Sequence, residues 1–281
     1  MALEKEHSVQ TLCQVLGVSR SGFYAHGRKD QGVRALADQA LRPKIQQAFE
    51  QGRGLYRSPR LRVLLGQQGV RCGKNRLARL LRQLDLRARQ KRKFRPPRTT
   101  RVDPRAPVAP NWLARIPTPD RPDQAWASDI TYIPTAQGWL YLAVTLDLCS
   151  RKCVGWKTAV SLETSLVTEA WNQAWLGRHP GPRLLHHSDR GVQYTSAHFR
   201  ALLAEKQCAA SMSRTGNPYD NAWAESFFAT LKTECFGNFL AATHQQAQLL
   251  IFAYIETFYN PRRLHSALGY KSPVDFENQF N

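Results

Sequence analysis

Three carboxylates in the sequence are placed where they could share a metal site. Asp129 lies within an apolar, β-branched run, where a charge is costly unless it is paired or bound to a cation. Asp189 follows a short apolar run, at the carboxyl end where open α/β sheets place their sites. Glu225 lies on an amphipathic helix. Carboxylate oxygens are ligands for Mg²⁺ and Mn²⁺, and two such ions can activate a nucleophile and stabilise the leaving oxygen of a phosphoryl displacement.

The helix that carries Glu225 is predicted to begin at residue 217. Asn217 is a good N-cap, Pro218 suits the first helical position, and Asp220 places a negative charge in the first turn. At 100° per residue, a polar face is formed by Asn221, Glu225 and Lys232, and an apolar stripe beside it by Trp223, Phe227 and Leu231. The helix therefore presents a carboxylate and an ammonium together, and its aromatic residues anchor it.

Residues 124–281 predict a sheet that positions these carboxylates. Apolar, β-branched and aromatic runs predict strands at 125–133, 138–147, 152–156, 183–187 and 208–212. Helical patterns predict helices at 162–176, 196–206 and 244–259, in addition to the helix with Glu225. The first three strands follow one another at hairpin spacing, which indicates an antiparallel meander, and the second is apolar on both faces. The order β-β-β-α-β-α-β-α-α predicts a mixed α/β sheet with helices on its faces.

Charge divides the chain into two parts. The chain of 281 residues has a net charge of +19, which points to a polyanionic partner. Residues 1–110 contain 25 Lys and Arg against 7 Asp and Glu, whereas residues 111–281 contain 15 against 14. The front part is therefore suited to binding nucleic acid, and the near-neutral part is suited to chemistry.

A helix pair in the front part is a candidate DNA-reading unit. A helix from Ser58 to about Gln67, a glycine-containing turn and a basic helix from Lys74 to Leu84 have the order of a helix-turn-helix, whose second helix fits the major groove. The outward cations of the second helix are Lys74, Arg76, Arg79 and Arg82. A solvated basic face on a packing helix is the alternative. Residues 8–24 have a similar but shorter pattern, which fits a helix-turn-helix or a hairpin that only packs.

A basic, proline-rich segment joins the two parts. Residues 86–123 contain cations that include Lys91, Arg92 and Lys93, followed by eight prolines that keep the chain extended. Such a segment is expected to follow a phosphate backbone, or to serve only as a solubilising tether. We therefore predict a helical DNA-binding region at 1–85, a linker at 86–123 and a catalytic core at 124–281.

Five local sequences carry a resemblance to a known family. They are residues 126–133 (WASDITYI), 141–152 (YLAVTLDLCSRK), 187–194 (HSDRGVQY), 217–227 (NPYDNAWAESF) and 259–273 (YNPRRLHSALGYKSP). The 59 residues between Asp129 and Asp189 and the 35 between Asp189 and Glu225 match the DDE signature of retroviral integrases and a large group of bacterial transposases. The whole chain resembles the OrfB-type subunit of the insertion-sequence-three family.

The resemblance implies an RNase H-like fold with a mixed five-stranded sheet, preceded by an all-α helix-turn-helix-type region. It implies cleavage of double-stranded DNA at the ends of an insertion sequence and transfer of the 3′-hydroxyl to another strand, with two Mg²⁺ or Mn²⁺ ions held by Asp129, Asp189 and Glu225. Lys232, Arg262 and Arg263 would contact the DNA backbone. The expected partners are further copies of the chain on DNA and an upstream OrfA-type protein or fusion, in the bacterial cytoplasm at the nucleoid.

Other interpretations of the sequence are a nuclease of the same fold that cuts without joining, and a DNA-binding repressor whose acidic residues are structural.

We expect a capped structural role for Asp147, although it could be a fourth ligand, and scaffolding roles for His186 and His187. The six scattered cysteines predict free thiols rather than a zinc site. No run is apolar and long enough to span a membrane, and no phosphate-binding GxxxxGK[ST] loop indicates ATP.

Overall fold

The computed structural model describes residues 7–27, 33–89, 105–214 and 217–280. The chain divides into two compact units, Met1–Arg87 and Ala88–Asn281. No helix among the described residues is long and apolar enough to cross a membrane. The six cysteines form no disulfide bond in the described part of the chain.

The first unit is helical. Its helices are α1 (Val9–Val15), α2 (Arg20–Gly27), α3 (Val33–Gln51), α4 (Ser58–Gln67) and α5 (Lys74–Gln83). The core lies between the last three helices, where the fully buried side chains are Ile45, Ala48, Leu61, Leu65, Leu77 and Leu80. Pro59 lies in the first turn of α4, where its missing N–H costs no hydrogen bond. The predicted pairing of α4 with a basic second helix is confirmed.

The second unit contains a five-stranded sheet. Its elements are β1 (Ala125–Thr135), β2 (Gly138–Asp147), β3 (Cys153–Ala159), α6 (Thr164–Arg178), β4 (Leu185–Ser188), α7 (Val192–Thr195), α8 (Ala197–Glu205), β5 (Ala209–Met212), α9 (Ala222–Leu231), α10 (His244–Tyr254) and α11 (Pro273–Glu277). The strand order is β3-β2-β1-β4-β5. The first three strands form the predicted antiparallel meander, and β4 and β5 add in parallel. The mixed α/β sheet is thus confirmed, with β1 as its middle strand.

Helices cover both faces of this sheet. Trp126 of β1 packs in a core cluster with Trp171 of α6, whereas Ala125 and Ala127 form another cluster with Trp223 of α9. Because neighbouring side chains on a strand point to opposite faces, α6 and α9 lie on opposite sides of β1. Gly155 of β3 is required by this packing, since a Cβ there would lie 2.1 Å from the carbonyl oxygen of Ala170 in α6.

Two short π-helices extend the helices of the second unit. Lys232–Phe236 follows α9 directly, and Ile255–Tyr259 follows α10. The sequence pattern predicts one helix from 244 to 259, and the structure has this length in two types of turn. Extra residues in a π-helix rotate the side chains that follow, and such segments are frequent at functional sites.

Candidate active site

Asp129 lies in the middle strand, held by two hydrogen bonds. Its position on β1 is opposite Val144 of β2. The Oδ1 atom accepts a hydrogen bond from the backbone N–H of Ile130 (2.8 Å), and Oδ2 accepts one from Nδ2 of Asn221 (2.8 Å). Asn221 immediately precedes α9. The strand therefore fixes the backbone of Asp129, and a residue at the start of α9 fixes its carboxylate.

Asp189 follows the last residue of β4, next to β1 in the sheet. Its Oδ1 accepts a hydrogen bond from the backbone N–H of Gly191 (2.9 Å). A Cβ at position 191 would lie 2.9 Å from the same oxygen, so a larger residue there would displace the carboxylate of Asp189. The predicted placement of Asp189 at the carboxyl end of a strand is confirmed by the structure.

The two aspartates lie close enough to oppose each other's ionisation. Burial and the negative charge of Asp189 raise the pKa of Asp129 far above its usual value. The hydrogen bonds from Ile130 and Asn221 act in the opposite direction, and the charge of Glu225 raises this pKa further by a smaller effect. A bound cation would favour the ionised form instead.

Glu225 lies in the first turn of α9 with an exposed side chain. The helix is anchored from its apolar side, since Phe227 and Leu231 are buried as predicted. Trp223 is half-buried, and the guanidinium of Arg151 lies 3.5 Å from its ring centroid. The anchor holds the helix against the sheet and leaves the carboxylate of Glu225 free to turn.

The start of the helix differs from the prediction. Residues Pro218–Asn221 form a 3₁₀ turn, so Asn221 and not Asn217 occupies the N-cap position of α9. Asp220 does not act on the helix dipole alone, because its carboxylate forms an ion pair with Arg214 (2.9 Å) and accepts a hydrogen bond from Asn111 (2.8 Å). The ion pair is local in sequence, whereas the bond from Asn111 spans 109 positions, and both shape the turn that leads into α9.

The three carboxylates have the chemistry of ligands for a hard cation. Each offers oxygen atoms, the type of donor that Mg²⁺ and Mn²⁺ prefer. Beside them, Oδ1 of Asn221 is a buried acceptor without a hydrogen-bond partner. Nevertheless, among the residues that the structure describes, no three His, Cys, Asp or Glu side chains form a ready-made metal site. The donor set therefore fits such a cation by its chemistry, although the three carboxylates are not gathered into one site in the described structure.

Lys232 lies next to this cluster, at the first residue of the π-helix after α9. Burial lowers its pKa to about 8, while the charge of Asp129 favours the protonated ammonium. The predicted shared face of Asn221, Glu225 and Lys232 thus turns towards Asp129.

Two histidines and a further aspartate have structural roles, as predicted. His186 contacts Ser128 (2.9 Å), which contacts Thr145 (2.9 Å), so a buried hydrogen-bonded chain crosses β4, β1 and β2. Burial lowers the pKa of His186 to about 3, and that of His187, which contacts Ser211 and Ser213, also falls. Neutral histidines of this kind act as scaffold.

Asp147 is capped by the chain around it. Its Oδ1 accepts hydrogen bonds from the backbone N–H groups of Cys149 (3.0 Å) and Ser150 (2.7 Å), and Oδ2 accepts one from that of Asp123 (2.7 Å). The expected structural role is confirmed, and these bonds leave Asp147 as part of the turn between β2 and β3.

The structure contradicts one predicted DNA contact. Arg263 is only 5 % exposed, and its guanidinium forms two hydrogen bonds of 2.7 Å with the carboxylate of Glu234. A buried, paired guanidinium has no surface left for a phosphate. The neighbouring Arg262 is exposed. We therefore retain Arg262 as a candidate contact and withdraw Arg263.

The cations of α5 fall into two pairs. Arg76 and Arg79 both form ion pairs with Asp38 of α3, and this pairing lowers the pKa of Asp38. Lys74 and Arg82 are exposed. The ion pairs hold α5 against α3, so Lys74 and Arg82 are the more available of the four predicted phosphate contacts. The linker cations Lys91, Arg92 and Lys93 lie outside the described residues.

Family models match both units. An integrase core domain matches residues 119–218 and a second integrase core model matches 206–273, while an HTH-like domain matches 36–94. The last match includes α4 and α5 and begins after α2. The similarity of residues 8–24 to a helix-turn-helix stays a prediction.

Similar proteins extend over nearly the whole chain. The chain is 40 % identical to an uncharacterized 31 kDa protein of insertion element IS600 from Shigella sonnei, covering 96 % of this chain and 98 % of that protein. It is 40 % identical to the transposase of insertion sequence element IS904 from Lactococcus lactis, covering 84 % and 93 %. It is 39 % identical to the transposase InsF of insertion sequence IS3A from Escherichia coli, covering 98 % and 96 %.

Solved structures show a more distant likeness, at 13 % identity. The simian T-cell lymphotropic virus intasome, in complex with a phosphatase regulatory subunit, matches 77 % of this chain and 70 % of its own with a TM-score of 0.47. The HTLV-2 integrase catalytic core, in complex with magnesium, matches 56 % and 97 % with a TM-score of 0.42. With an integrase core, an HTH-like domain and relatives of about 40 % identity along its length, the chain belongs to the IS3 family of insertion-sequence transposases.

Proposed function

We propose that Asp129, Asp189 and Glu225 bind two Mg²⁺ or Mn²⁺ ions, with which the transposase cuts the ends of its insertion sequence and joins the 3′-hydroxyl to target DNA. The mutual repulsion of Asp129 and Asp189 carries this proposal, because a bound cation is the natural partner for two carboxylates that oppose each other's ionisation. When bound, the ions lower the pKa of the attacking water or hydroxyl and stabilise the leaving oxygen.

Two of the proposed metal ligands, Asp129 and Asp189, are held in place, whereas the third, Glu225, is movable. Asp129 is fixed by β1 and Asn221, and Asp189 by the N–H of Gly191. Glu225 is exposed on an anchored helix, so its side chain can rotate towards the aspartates without movement of the backbone. Completion of the site by the third ligand would then accompany binding of metal and DNA.

The DNA is proposed to contact cations of both units. Lys232 lies beside Asp129 and is suited to the phosphate next to the reacting bond, and exposed Arg262 is suited to the backbone further away. In the helical unit, Lys74 and Arg82 are proposed as phosphate contacts, with Arg76 and Arg79 assisting through their half-exposed guanidinium groups.

Joining two DNA ends requires more than one active site, so we propose a homo-oligomer assembled on DNA. An upstream OrfA-type protein, separate or fused, is proposed as a further partner, and the bacterial nucleoid as the place of action. The requirement for the upstream partner is tested by a strand-transfer assay with the element's own ends, run with and without the upstream protein.

The catalytic assignment is tested with Asp189→Asn and Glu225→Gln. Both variants keep the size of the side chain and remove a charge. We expect each to abolish Mg²⁺-dependent cleavage and joining while DNA binding persists. Activity retained in both variants would refute the assignment of these residues. DNA binding without cleavage or joining by the unaltered protein would indicate a repressor, and cleavage without joined product would indicate a nuclease.

A further inference from the structure

Asn221 occupies an unusual position between the helix of Glu225 and the carboxylate of Asp129. It precedes Ala222–Leu231 directly, in the N-cap position, yet its side chain makes no capping hydrogen bond. Its Nδ2 donates instead to Oδ2 of Asp129, 2.8 Å away and 92 positions earlier in the chain. The side chain therefore serves a residue on another element rather than its own helix.

The second polar atom of the same amide has no partner. Oδ1 of Asn221 is buried and accepts no hydrogen bond within the described structure. An unsatisfied buried acceptor costs roughly 1–3 kcal/mol, and such atoms are rare in folded proteins unless a water or an ion satisfies them. Here the same amide is bonded to Asp129, one of the proposed metal ligands.

We propose that Asn221 is a positioning residue for the metal site, which orients the carboxylate of Asp129 through Nδ2 and accepts a hydrogen bond from the cation's hydration shell through Oδ1. This inference rests on the proposed function, because it takes Asp129 as a metal ligand. Mg²⁺ binds proteins through few carboxylates and keeps several waters, which supplies donors of the required kind.

The position of Asn221 also links two ligands mechanically. It lies four residues before Glu225, about one helical turn, and therefore on the same face of the chain. A bond between Asn221 and Asp129 fixes where the first turn of α9 meets β1. One amide thus sets both the orientation of Asp129 and the starting point from which Glu225 reaches the site.

The test is Mn²⁺ binding to the full chain, measured by electron paramagnetic resonance and by calorimetry. For Asn221→Ala we expect the affinity to fall about 10- to 100-fold, the usual effect of removing a group that orients a metal ligand. Strand transfer by this variant should be weak at limiting Mg²⁺ and recover at saturating Mg²⁺. Asn221→Ala removes the unpaired buried Oδ1 together with the bond from Nδ2, so the two effects on stability oppose each other. Its metal-free melting temperature should therefore stay close to that of Asn172→Ala, a control at an exposed asparagine of α6.

The outcomes distinguish the positioning role of Asn221 from the proposed metal site on which it rests. Asp129→Asn with unchanged Mn²⁺ affinity would refute the metal site itself. If Asp129→Asn loses Mn²⁺ while Asn221→Ala keeps the affinity of the unaltered protein, the positioning role alone is wrong. A lowered metal-free melting temperature of Asn221→Ala, relative to the Asn172→Ala control, would show a structural role and would also overturn the inference.

Discussion

Breaking the ion pair between Arg263 and Glu234 is expected to destabilise the fold strongly, although the sequence suggests a DNA contact for Arg263. The substitution Arg263→Met removes the guanidinium and keeps an unbranched apolar stem. It leaves the carboxylate of Glu234, whose side chain is 9 % exposed, with the hydroxyl of Tyr254 (2.8 Å) as a remaining donor. Breaking a buried pair in this way costs about 3–5 kcal/mol, because a charge remains buried without compensation.

The expected change in melting temperature follows from this cost. Each kcal/mol lowers the melting temperature by about 2–4 °C for a domain of 150–250 residues, so Arg263→Met should melt roughly 6–20 °C lower. Differential scanning calorimetry of the full chain measures this shift. The double variant Arg263→Met, Glu234→Leu should recover much of the loss, because it removes the stranded charge together with its partner.

The adjacent Arg262 provides a matched control. Its side chain is exposed, so Arg262→Met should change stability by less than about 0.5 kcal/mol and should weaken DNA binding instead. A melting temperature of Arg263→Met within about 2 °C of the unaltered protein would refute the ion-pair argument. If DNA affinity fell at unchanged stability, Arg263 would be a DNA contact after all.

Three further predictions concern the site and the helical unit. The pKa of Asp129 is raised from its usual 3.8 to about 8, so between these pH values the folded protein binds one more proton than the unfolded chain. The metal-free free energy of unfolding should therefore fall as pH rises from about 4 to about 8. Chemical unfolding of Asp129→Asn should show a flatter dependence of this free energy on pH. The substitution Trp223→Leu removes the ring that contacts the guanidinium of Arg151, a contact worth about 0.5–2 kcal/mol. Hydrogen exchange in α9 should therefore become about 2- to 30-fold faster, and an unchanged exchange rate would refute a stabilising role of this contact. Lys74→Ala and Arg82→Ala should each reduce the slope of log affinity against log salt by about 0.9, and unchanged slopes would remove these phosphate contacts.

The sheet and the two aspartates could be predicted because local pattern determines them. Strand β2 coincides with the predicted 138–147, since its apolar run ends sharply in a turn. Asp129 stands out as a charge in an apolar strand, and Asp189 as the residue after one. Such signals depend on the neighbouring residues alone, and the alternating directions of strand side chains then fix which face they join.

The errors have a common physical origin in contacts between residues far apart in sequence. Arg262 and Arg263 are adjacent and chemically identical, and only the position of Glu234, 29 residues before Arg263, decides which of them is buried. Similarly, Asp38 forms ion pairs with Arg76 and Arg79 of α5, the helix whose outward cations are predicted to contact phosphates. A sequence shows that a cation exists but not which carboxylate the fold brings to it.

The same distinction explains why the helix of Glu225 needs several anchors. The hydrogen bond from Asn221 to Asp129 holds its first turn, and the guanidinium of Arg151 contacts its first aromatic residue, Trp223. The π-helix that follows α9 is held by the buried ion pair between Glu234 and Arg263. Each anchor joins α9 to a different part of the unit, so no single loss should release the helix. Glu225 itself is exposed between these anchors, so the helix backbone is held while the side chain lies outside the packed core, as the proposed role of Glu225 as a third metal ligand requires.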